Sequence, residues 1–148
     1  MKAEQFTVAT PLDFSPVVAA LLKKAEAVTN RAAIVTLTGD LGAGKTTLTQ
    51  QLARSLKITE PVVSPTFGIM KSYEIFNHPY FDQLVHIDAY RIEEMSEVGP
   101  LRFEEQFQLP RTLICIEWPE RIAEVLPVEK ILVTIEIQAK EERMVSLS

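Results

Sequence analysis

Apolar residues along the chain group into nearly continuous runs and into helically spaced sets. Runs occur at residues 32–37, 84–87 and 113–116, and such runs are typical of sheet strands that are covered on both faces. Spacings of three and four residues occur over residues 15–30 and 48–56, and these spacings predict amphipathic helices. The pattern therefore predicts strands and helices that alternate along the chain.

Weaker patterns predict the remaining elements. Apolar and polar residues alternate over residues 131–137, which predicts a half-exposed strand towards an edge of the sheet, and residues 143–147 predict a final short strand. Residues 67–75 read as another strand after the loop Ser64-Pro65-Thr66, where the residue before proline is pushed out of the helical region. The polar stretch 91–106 predicts short helices.

A complete G-x-x-x-x-G-K-[ST] motif lies between the first apolar run and the second predicted helix. In such a loop, backbone N–H groups surround the phosphates of a nucleotide, Lys45 reaches the β- and γ-phosphates, and the Thr46 hydroxyl binds Mg²⁺. The predicted nucleotide-binding residues are Gly39, Asp40, Leu41, Gly42, Ala43, Gly44, Lys45, Thr46 and Thr47.

The context of the motif favours function over coincidence. The four fixed positions match by chance in a chain of this length with odds on the order of 1%. The order strand, loop, helix is also the context that the motif requires. We therefore predict an α/β fold in which residues 1–148 form a single P-loop NTPase domain. Its sheet is expected to be mixed and mainly parallel, flanked by helices, with antiparallel edge strands.

Composition limits the possible partners and compartment. The formal charge is −5 and the chain has no long block of Lys or Arg, so we expect weak independent binding to nucleic acid. The longest apolar stretch, residues 17–22, is too short to span a bilayer, and no signal-peptide pattern precedes it, so a soluble, cytoplasmic protein is expected. The single cysteine, Cys115, reads as a buried reduced thiol.

Two carboxylates follow apolar runs in the manner of metal-binding strand ends. Asp88 follows residues 84–87 and Glu117 follows residues 113–116, so both are expected at the carboxyl edge of the sheet near the phosphate loop. Phosphoryl transfer needs a carboxylate near Mg²⁺ and a group that orients the attacking water or hydroxyl. The pattern leaves open which residue has which role, and a solvated strand-end carboxylate is the alternative for each.

Three further residues stand near these motifs. Thr66 is a candidate catalytic switch residue, since a threonine in a loop after the phosphate-loop helix can fold over the γ-phosphate, although a simple turn threonine has almost equal weight. His86 lies inside an apolar run and reads as a core histidine rather than a base. Trp118 reads as half-buried at the mouth of the site.

Four motifs, in this order and at this chain length, resemble the TsaE family. They are residues 39–47, Ser64-Pro65-Thr66-Phe67, His86-Ile87-Asp88-Ala89-Tyr90-Arg91 and Ile116-Glu117-Trp118-Pro119-Glu120-Arg121. The resemblance extends over about residues 6–147, and the four motifs together are far more specific than the phosphate loop alone.

The resemblance implies the small ATPase of bacterial tRNA threonylcarbamoyladenosine (t6A) biosynthesis, with ATP and Mg²⁺ as cofactors. It implies TsaB and TsaD as partners, TsaD being the subunit that modifies adenosine 37, and contact with tRNA only through that complex. ATPase activity is expected to be weak alone and stimulated by these partners. The resemblance also places Thr46 and Glu117 on Mg²⁺, Asp88 in the catalytic step, and Thr10 and Arg143 on the adenine side.

Two other functions remain open at this stage. A small-molecule kinase uses the same loop, but its lid is usually rich in arginine, and the arginines here are dispersed singly. A non-catalytic scaffold could use ATP only to order the loop around Thr66 for a partner. A GTPase is disfavoured, because neither Asn30 nor Asn77 begins an Asn-Lys-x-Asp guanine-reading motif.

Overall fold

The computed structural model describes residues 3–40, 42–63 and 69–148, and within them the chain forms one sheet with helices on its faces. The strands are β1 Glu4–Val8, β2 Ala33–Thr38, β3 Met70–Glu74, β4 Gln83–Asp88, β5 Thr112–Glu117, β6 Ile131–Ile137 and β7 Arg143–Leu147. The α-helices are α1 Ser15–Glu26, α2 Lys45–Ser55 and α3 Phe103–Phe107, and short 3₁₀ segments connect several elements.

The sheet is parallel in the middle and antiparallel at both sides. Its order is β1-β7-β6-β2-β5-β4-β3. Strand β2 pairs in parallel with β5 and β6, and β4 pairs in parallel with β5. The pairs β3–β4, β6–β7 and β1–β7 are antiparallel. The predicted fold is confirmed, and the parallel strands bring their carboxyl ends to one edge, where the phosphate loop begins.

Two hydrophobic clusters lie on opposite faces of the central strands. On one face, α1 and α2 contribute Leu21, Leu48 and Leu52, which pack with Val35 and Cys115 of the sheet. The opposite face is covered by residues such as Phe103, Phe107 and Ile122, which pack with Ile34 and Ile114. Strands β2 and β5 are therefore buried on both faces, as their continuous apolar runs predict.

Some elements differ from the sequence prediction. Strand β6 alternates in burial as expected, but it is not at an edge, because β7 and β1 lie beyond it. Strand β1 was not foreseen, since only two of its residues are apolar and its pairing with β7 is distant in sequence. Helix α1 ends at Glu26 rather than near Asn30. Strand β3 begins at Met70, and the predicted start at residues 67–68 lies outside the described residues.

Candidate nucleotide-binding site

The phosphate loop connects the end of β2 to the start of α2. At two of its positions, steric constraints explain why the residue is glycine. A Cβ at Gly39 would lie 2.6 Å from the backbone oxygen of Ile135, which is closer than van der Waals contact allows. Gly44 has a φ of 115°, a backbone conformation that residues with a side chain rarely adopt, and it directly precedes the first residue of α2. The loop therefore packs tightly against β6 and then turns sharply into the helix.

Lys45 lies at the start of α2 with its side chain folded over the loop. The side chain is almost fully buried, its Nζ donates a hydrogen bond to the carbonyl oxygen of Gly39, and Nζ lies 4.1 Å from the ring centroid of Trp118. Trp118 is half-buried, as predicted, and also packs against the ring of Tyr90. These contacts hold the ammonium group between the phosphate loop and an aromatic face.

Thr46 and Glu117 meet although 71 positions separate them in the sequence. The Thr46 hydroxyl lies 3.1 Å from Oε2 and 3.3 Å from Oε1 of Glu117, and it donates a hydrogen bond to the carboxylate. Glu117 is the last residue of β5, which lies next to β2 in the sheet, so its side chain reaches the first turn of α2. The two residues expected to bind Mg²⁺ are thus adjacent.

A buried histidine contacts the same carboxylate. His86, in the middle of β4, is fully buried, and its Nε2 lies 2.6 Å from Oε2 of Glu117. The expected core position of His86 is confirmed, but its contact with a site residue was not foreseen. Cys115 lies beside His86 in the sheet register. Burial, together with the negative charge of Glu117, raises the pKa of the Cys115 thiol to about 12, as expected for an inert thiol.

Asp88 ends β4 directly beside Glu117 in the parallel register. Its side chain is partly exposed, and Oδ1 accepts a hydrogen bond of 3.0 Å from the backbone N–H of Tyr90. Glu117 by contrast is only 4% exposed. The two strand-end carboxylates are therefore neighbours in different environments, one enclosed by side chains and the other open to solvent at the edge of the sheet.

A cavity of about 460 Å³ opens on the opposite side of the phosphate loop from Glu117. Thr10 and Arg143, the two residues expected on the adenine side, both line it, and so does Thr47. Its other lining residues near the loop include Phe14, Gly42, Ala43 and Gly44. The volume lies within the range of small-ligand pockets. Phe14, whose buried ring lies close to Gly44, was not among the residues predicted from the sequence.

Arg143 links the final strand to the phosphate loop. Its Nε donates to the carbonyl oxygen of Ala43 at 3.0 Å, and Nη2 donates to that of Gly42 at 3.3 Å. Its Nη1 donates to the carbonyl oxygen of Glu141 at 2.6 Å. Since each nitrogen of the guanidinium contacts a backbone carbonyl, Arg143 positions the loop as well as lining the cavity.

The turn that carries Thr10 has its own hydrogen-bonded support. Oδ2 of Asp13 accepts hydrogen bonds from the backbone N–H groups of Thr10 at 2.9 Å and Ala9 at 3.0 Å. These bonds favour the ionised form, so they lower the pKa of the Asp13 carboxyl below its ordinary value. The turn between β1 and α1 is thereby fixed next to the cavity.

Two predicted site residues, Leu41 and Thr66, lie outside the described residues. Asp40 is exposed on the loop, and the backbone N–H of Ala43 donates to its carbonyl oxygen at 3.0 Å. The remaining predicted residues fall on two sides of the phosphate loop. Lys45, Thr46, Asp88 and Glu117 are on one side, and the cavity with Thr10 and Arg143 is on the other.

The donor set fits a magnesium ion bound together with phosphates. Thr46 and Glu117 offer a hydroxyl and a carboxylate, and Mg²⁺ prefers oxygen ligands and usually keeps waters or substrate phosphates in its shell. Among residues 3–40, 42–63 and 69–148, no cluster of three or more His, Cys, Asp or Glu side chains could hold a metal alone. A triphosphate would supply the missing ligands.

The fold and this site define a P-loop nucleotide-binding protein of the α/β class. The model of one protein family, the threonylcarbamoyl adenosine biosynthesis protein TsaE, matches residues 15–145. The chain belongs to the TsaE family. The resemblance seen in the four sequence motifs is thereby confirmed.

Individual relatives agree with this assignment. The chain is 40% identical over 115 residues to the tRNA threonylcarbamoyladenosine biosynthesis protein TsaE of Bacillus subtilis, a match that covers 78% of this chain and 68% of that protein. It is 45% identical over 92 residues to the protein of the same name from Nostoc, covering 60% of this chain and 54% of the relative. The matched stretches thus span between about half and two thirds of these relatives.

A solved structure is also similar. The crystal structure of Bacillus subtilis YdiB superposes with a TM-score of 0.71 at 29% sequence identity, over 99% of this chain and 84% of that chain. In the part of the chain that the structure describes, no helix is long and apolar enough to cross a membrane.

Proposed function

We propose that the chain is a Mg²⁺-dependent ATPase that acts in tRNA t6A37 modification together with TsaB and TsaD. The observation that carries the proposal is the contact between Thr46 and Glu117 beside Lys45. This contact joins the phosphate-loop hydroxyl to a strand-end carboxylate, as a metal-assisted phosphoryl-transfer site requires. Family membership supplies the connection with t6A.

Each site residue receives a role in this proposal. The loop residues Gly39 to Thr47 bind the phosphates, with Lys45 on the β- and γ-phosphates, and Thr46 and Glu117 hold Mg²⁺. A bound Mg²⁺ would neutralise charge on the phosphate oxygens. Asp88, which is more open to solvent than Glu117, positions the attacking water.

Arg143 and Thr10 bind on the nucleoside side of the phosphate loop. Both residues line the cavity next to Gly42 and Gly44, so a nucleotide with its phosphates in the loop would extend its base into that space. Thr66 is proposed as the residue that senses the γ-phosphate. The guanine-reading motif is missing from the sequence, so adenine is the proposed base.

Partner dependence follows from the openness of the site. Asp88 is partly exposed and Tyr90 beside it is 44% exposed, so on this side the described residues do not shield the attacking water from bulk solvent. We propose that TsaB and TsaD complete this side and raise the rate. The formal charge of −5 supports contact with tRNA through those partners. The cytoplasm is the proposed compartment.

The decisive experiment is ATP hydrolysis by the purified chain with and without TsaB and TsaD. We expect slow turnover alone and a marked increase when both partners are present, while Lys45→Ala stays inactive in both conditions. Transfer of the γ-phosphate to a metabolite rather than water would favour the kinase alternative. Nucleotide binding without turnover in any mixture would favour the nucleotide-gated scaffold. A full rate for the isolated chain would contradict partner gating.

A further inference from the structure

His86 is an unusual polar residue in the core of the protein. Its side chain has 0% exposure, and the strand residues before and after it, Val85 and Ile87, are equally buried and apolar. Its Nε2 lies 2.6 Å from Oε2 of Glu117. Its Nδ1 has no hydrogen-bond partner among the residues that the structure describes. Within the described part of the chain, the only polar contact of this side chain is thus with the Glu117 carboxylate.

Core packing alone does not explain a histidine at this position. Buried polar atoms are nearly always paired, so one unpaired nitrogen carries a cost that an apolar side chain of similar size would avoid. On this sheet face His86 lies between Leu84 and Asp88 of the same strand and pairs with Cys115 of β5 and Lys71 of β3. Of these neighbours, Leu84 and Cys115 belong to the apolar cluster.

The direction of the hydrogen bond follows from the chemistry of its partner. An ionised carboxylate only accepts hydrogen bonds, so Nε2 must carry the proton and donate it to Glu117. In the neutral ring, Nδ1 is then a bare acceptor, which is less costly to bury unpaired than an N–H donor would be. Thr46, in the first turn of α2, also donates to Oε2 of this carboxylate. The Glu117 side chain is therefore held from two elements.

We propose that His86 is a positioning residue that orients the Glu117 carboxylate for the magnesium ion. The inference rests on the proposed function, because it takes Glu117 as a metal ligand. The hydrogen bond from Nε2 fixes the rotation of the carboxyl group about its last torsion, so that an oxygen faces Thr46 and the phosphate loop. Residues that orient metal ligands in this way typically change metal affinity or activity by about 10–100-fold when they are replaced.

The first test compares His86→Met with His86→Gln. Met fills the space without a donor, whereas the Gln amide can still donate to Glu117. The affinity for a non-hydrolysable ATP analogue is measured by calorimetry with Mn²⁺ and again in EDTA, and the ratio of the two gives the contribution of the metal. We expect this ratio to fall about 10–100-fold in His86→Met and to recover largely in His86→Gln. Affinity in EDTA should stay at the wild-type value in both variants.

The second test asks whether His86 acts through Glu117. In a Glu117→Gln background the metal contribution is already reduced, so adding His86→Met should cause no further loss. The electron paramagnetic resonance spectrum of bound Mn²⁺ should change in His86→Met and keep the wild-type form in His86→Gln. Circular dichroism and the melting temperature establish that each variant is folded at the temperature of measurement.

The outcomes separate this inference from the proposed function. A wild-type protein that binds the analogue equally with Mn²⁺ and with EDTA would overturn the metal-dependent function and the inference with it. A wild-type metal ratio in folded His86→Met would overturn only the inference. Two other results would also overturn only the inference. One is an equal loss of analogue affinity in Mn²⁺ and in EDTA for His86→Met, and the other is a loss of affinity in His86→Met that adds to the loss in Glu117→Gln.

Discussion

The ammonium group of Lys45 is buried at the phosphate loop, where the phosphates of a nucleotide are expected to bind. Its side chain is 5% exposed, and its ammonium group lies between the Gly39 carbonyl and the face of Trp118. Both contacts are with groups that carry no full charge, so a triphosphate would offer Lys45 a stronger partner than either of them. The affinity for nucleotide should therefore depend strongly on this side chain.

Replacing Lys45 by Ala should lower ATP affinity in the presence of Mg²⁺ at least about tenfold, because a charge-assisted contact typically contributes about 1.5–3 kcal/mol. Calorimetric titration measures the change. Lys57→Ala is the matched control, because Lys57 is exposed just beyond the end of α2. This variant should bind ATP with the affinity of the wild type. Equal affinities for Lys45→Ala and Lys57→Ala would contradict the assignment of the loop.

Asp88 and Glu117 should give different patterns when they are replaced. Glu117→Ala should weaken Mg²⁺-dependent nucleotide binding as well as turnover, because the buried carboxylate contacts Thr46. Asp88→Asn should keep nearly normal affinity and lose about 10²–10⁴-fold in rate, if it positions the attacking water. The nucleotide affinity and the single-turnover rate are measured for each of the two variants with TsaB and TsaD present, which gives four values. An exchanged pattern would exchange the two roles, and wild-type values for both variants would favour the scaffold.

The sequence alone indicated several residues of the candidate site. Lys45 and Thr46 follow from the phosphate loop, and Glu117 follows from its place after an apolar run. The contact between His86 and Glu117 could not be predicted, because it depends on which strand lies beside β5 and in what register. A polar residue within an otherwise apolar run was the only local signal. Pairing between distant strands is the information that such patterns lack.

At the scale of elements, the phosphate loop is wedged between β6 and α2. The absence of a side chain at Gly39 lets the loop pass the Ile135 carbonyl, and Arg143 of β7 binds two carbonyls of the same loop. The loop is therefore fixed by the strands on one side of the sheet as well as by its own helix. Changes in β6 or β7 should be transmitted to nucleotide binding.

Gly39→Ala should destabilise the protein, because the added Cβ would lie 2.6 Å from a backbone oxygen that cannot rotate away. Overpacking of this kind typically costs about 1–3 kcal/mol in free energy of unfolding. Gly99→Ala is the control, since a Cβ there meets nothing within 4 Å among the described residues. Urea unfolding of both variants measures the difference, and equal midpoints would show that the loop and β6 separate readily.

Elements with strong periodicity were predicted well, and elements defined by their partners were not. The buried runs became β2, β4 and β5, and the helical spacings became α1 and α2. Strand β6 alternates because one face lacks a cover, as the 45% exposure of Leu132 shows, and the alternation says nothing about how many strands lie beyond it. A half-exposed strand can therefore lie inside a sheet.

At the scale of the whole molecule, charge limits what the chain can bind alone. With 15 basic and 20 acidic residues, the formal charge is −5. A phosphate backbone is attracted by clustered cations, and a protein with few clustered cations neutralises few phosphates and binds it weakly. The protein is thus suited to a role in which another subunit contacts the tRNA.

The isolated chain should bind tRNA poorly, with affinity no better than the micromolar range of non-specific contacts at physiological salt. A gel shift with tRNA at moderate salt measures this, and a reconstituted modification assay measures whether multiple-turnover t6A formation requires the chain. Nanomolar binding by the isolated protein would contradict the charge argument. Undiminished modification in its absence would contradict the role in the pathway.

The pairing of β1 with β7 has a consequence for folding during synthesis on the ribosome. Strand β1 lies at the edge of the sheet and pairs only with β7 among the described strands, with Val8 opposite Arg143. Translation at about 5–20 residues per second separates the two strands by on the order of ten seconds. A nascent chain thus carries the complete phosphate-loop motif well before the cavity beside it can form, because Arg143, which lines that cavity together with Thr10, belongs to the last strand.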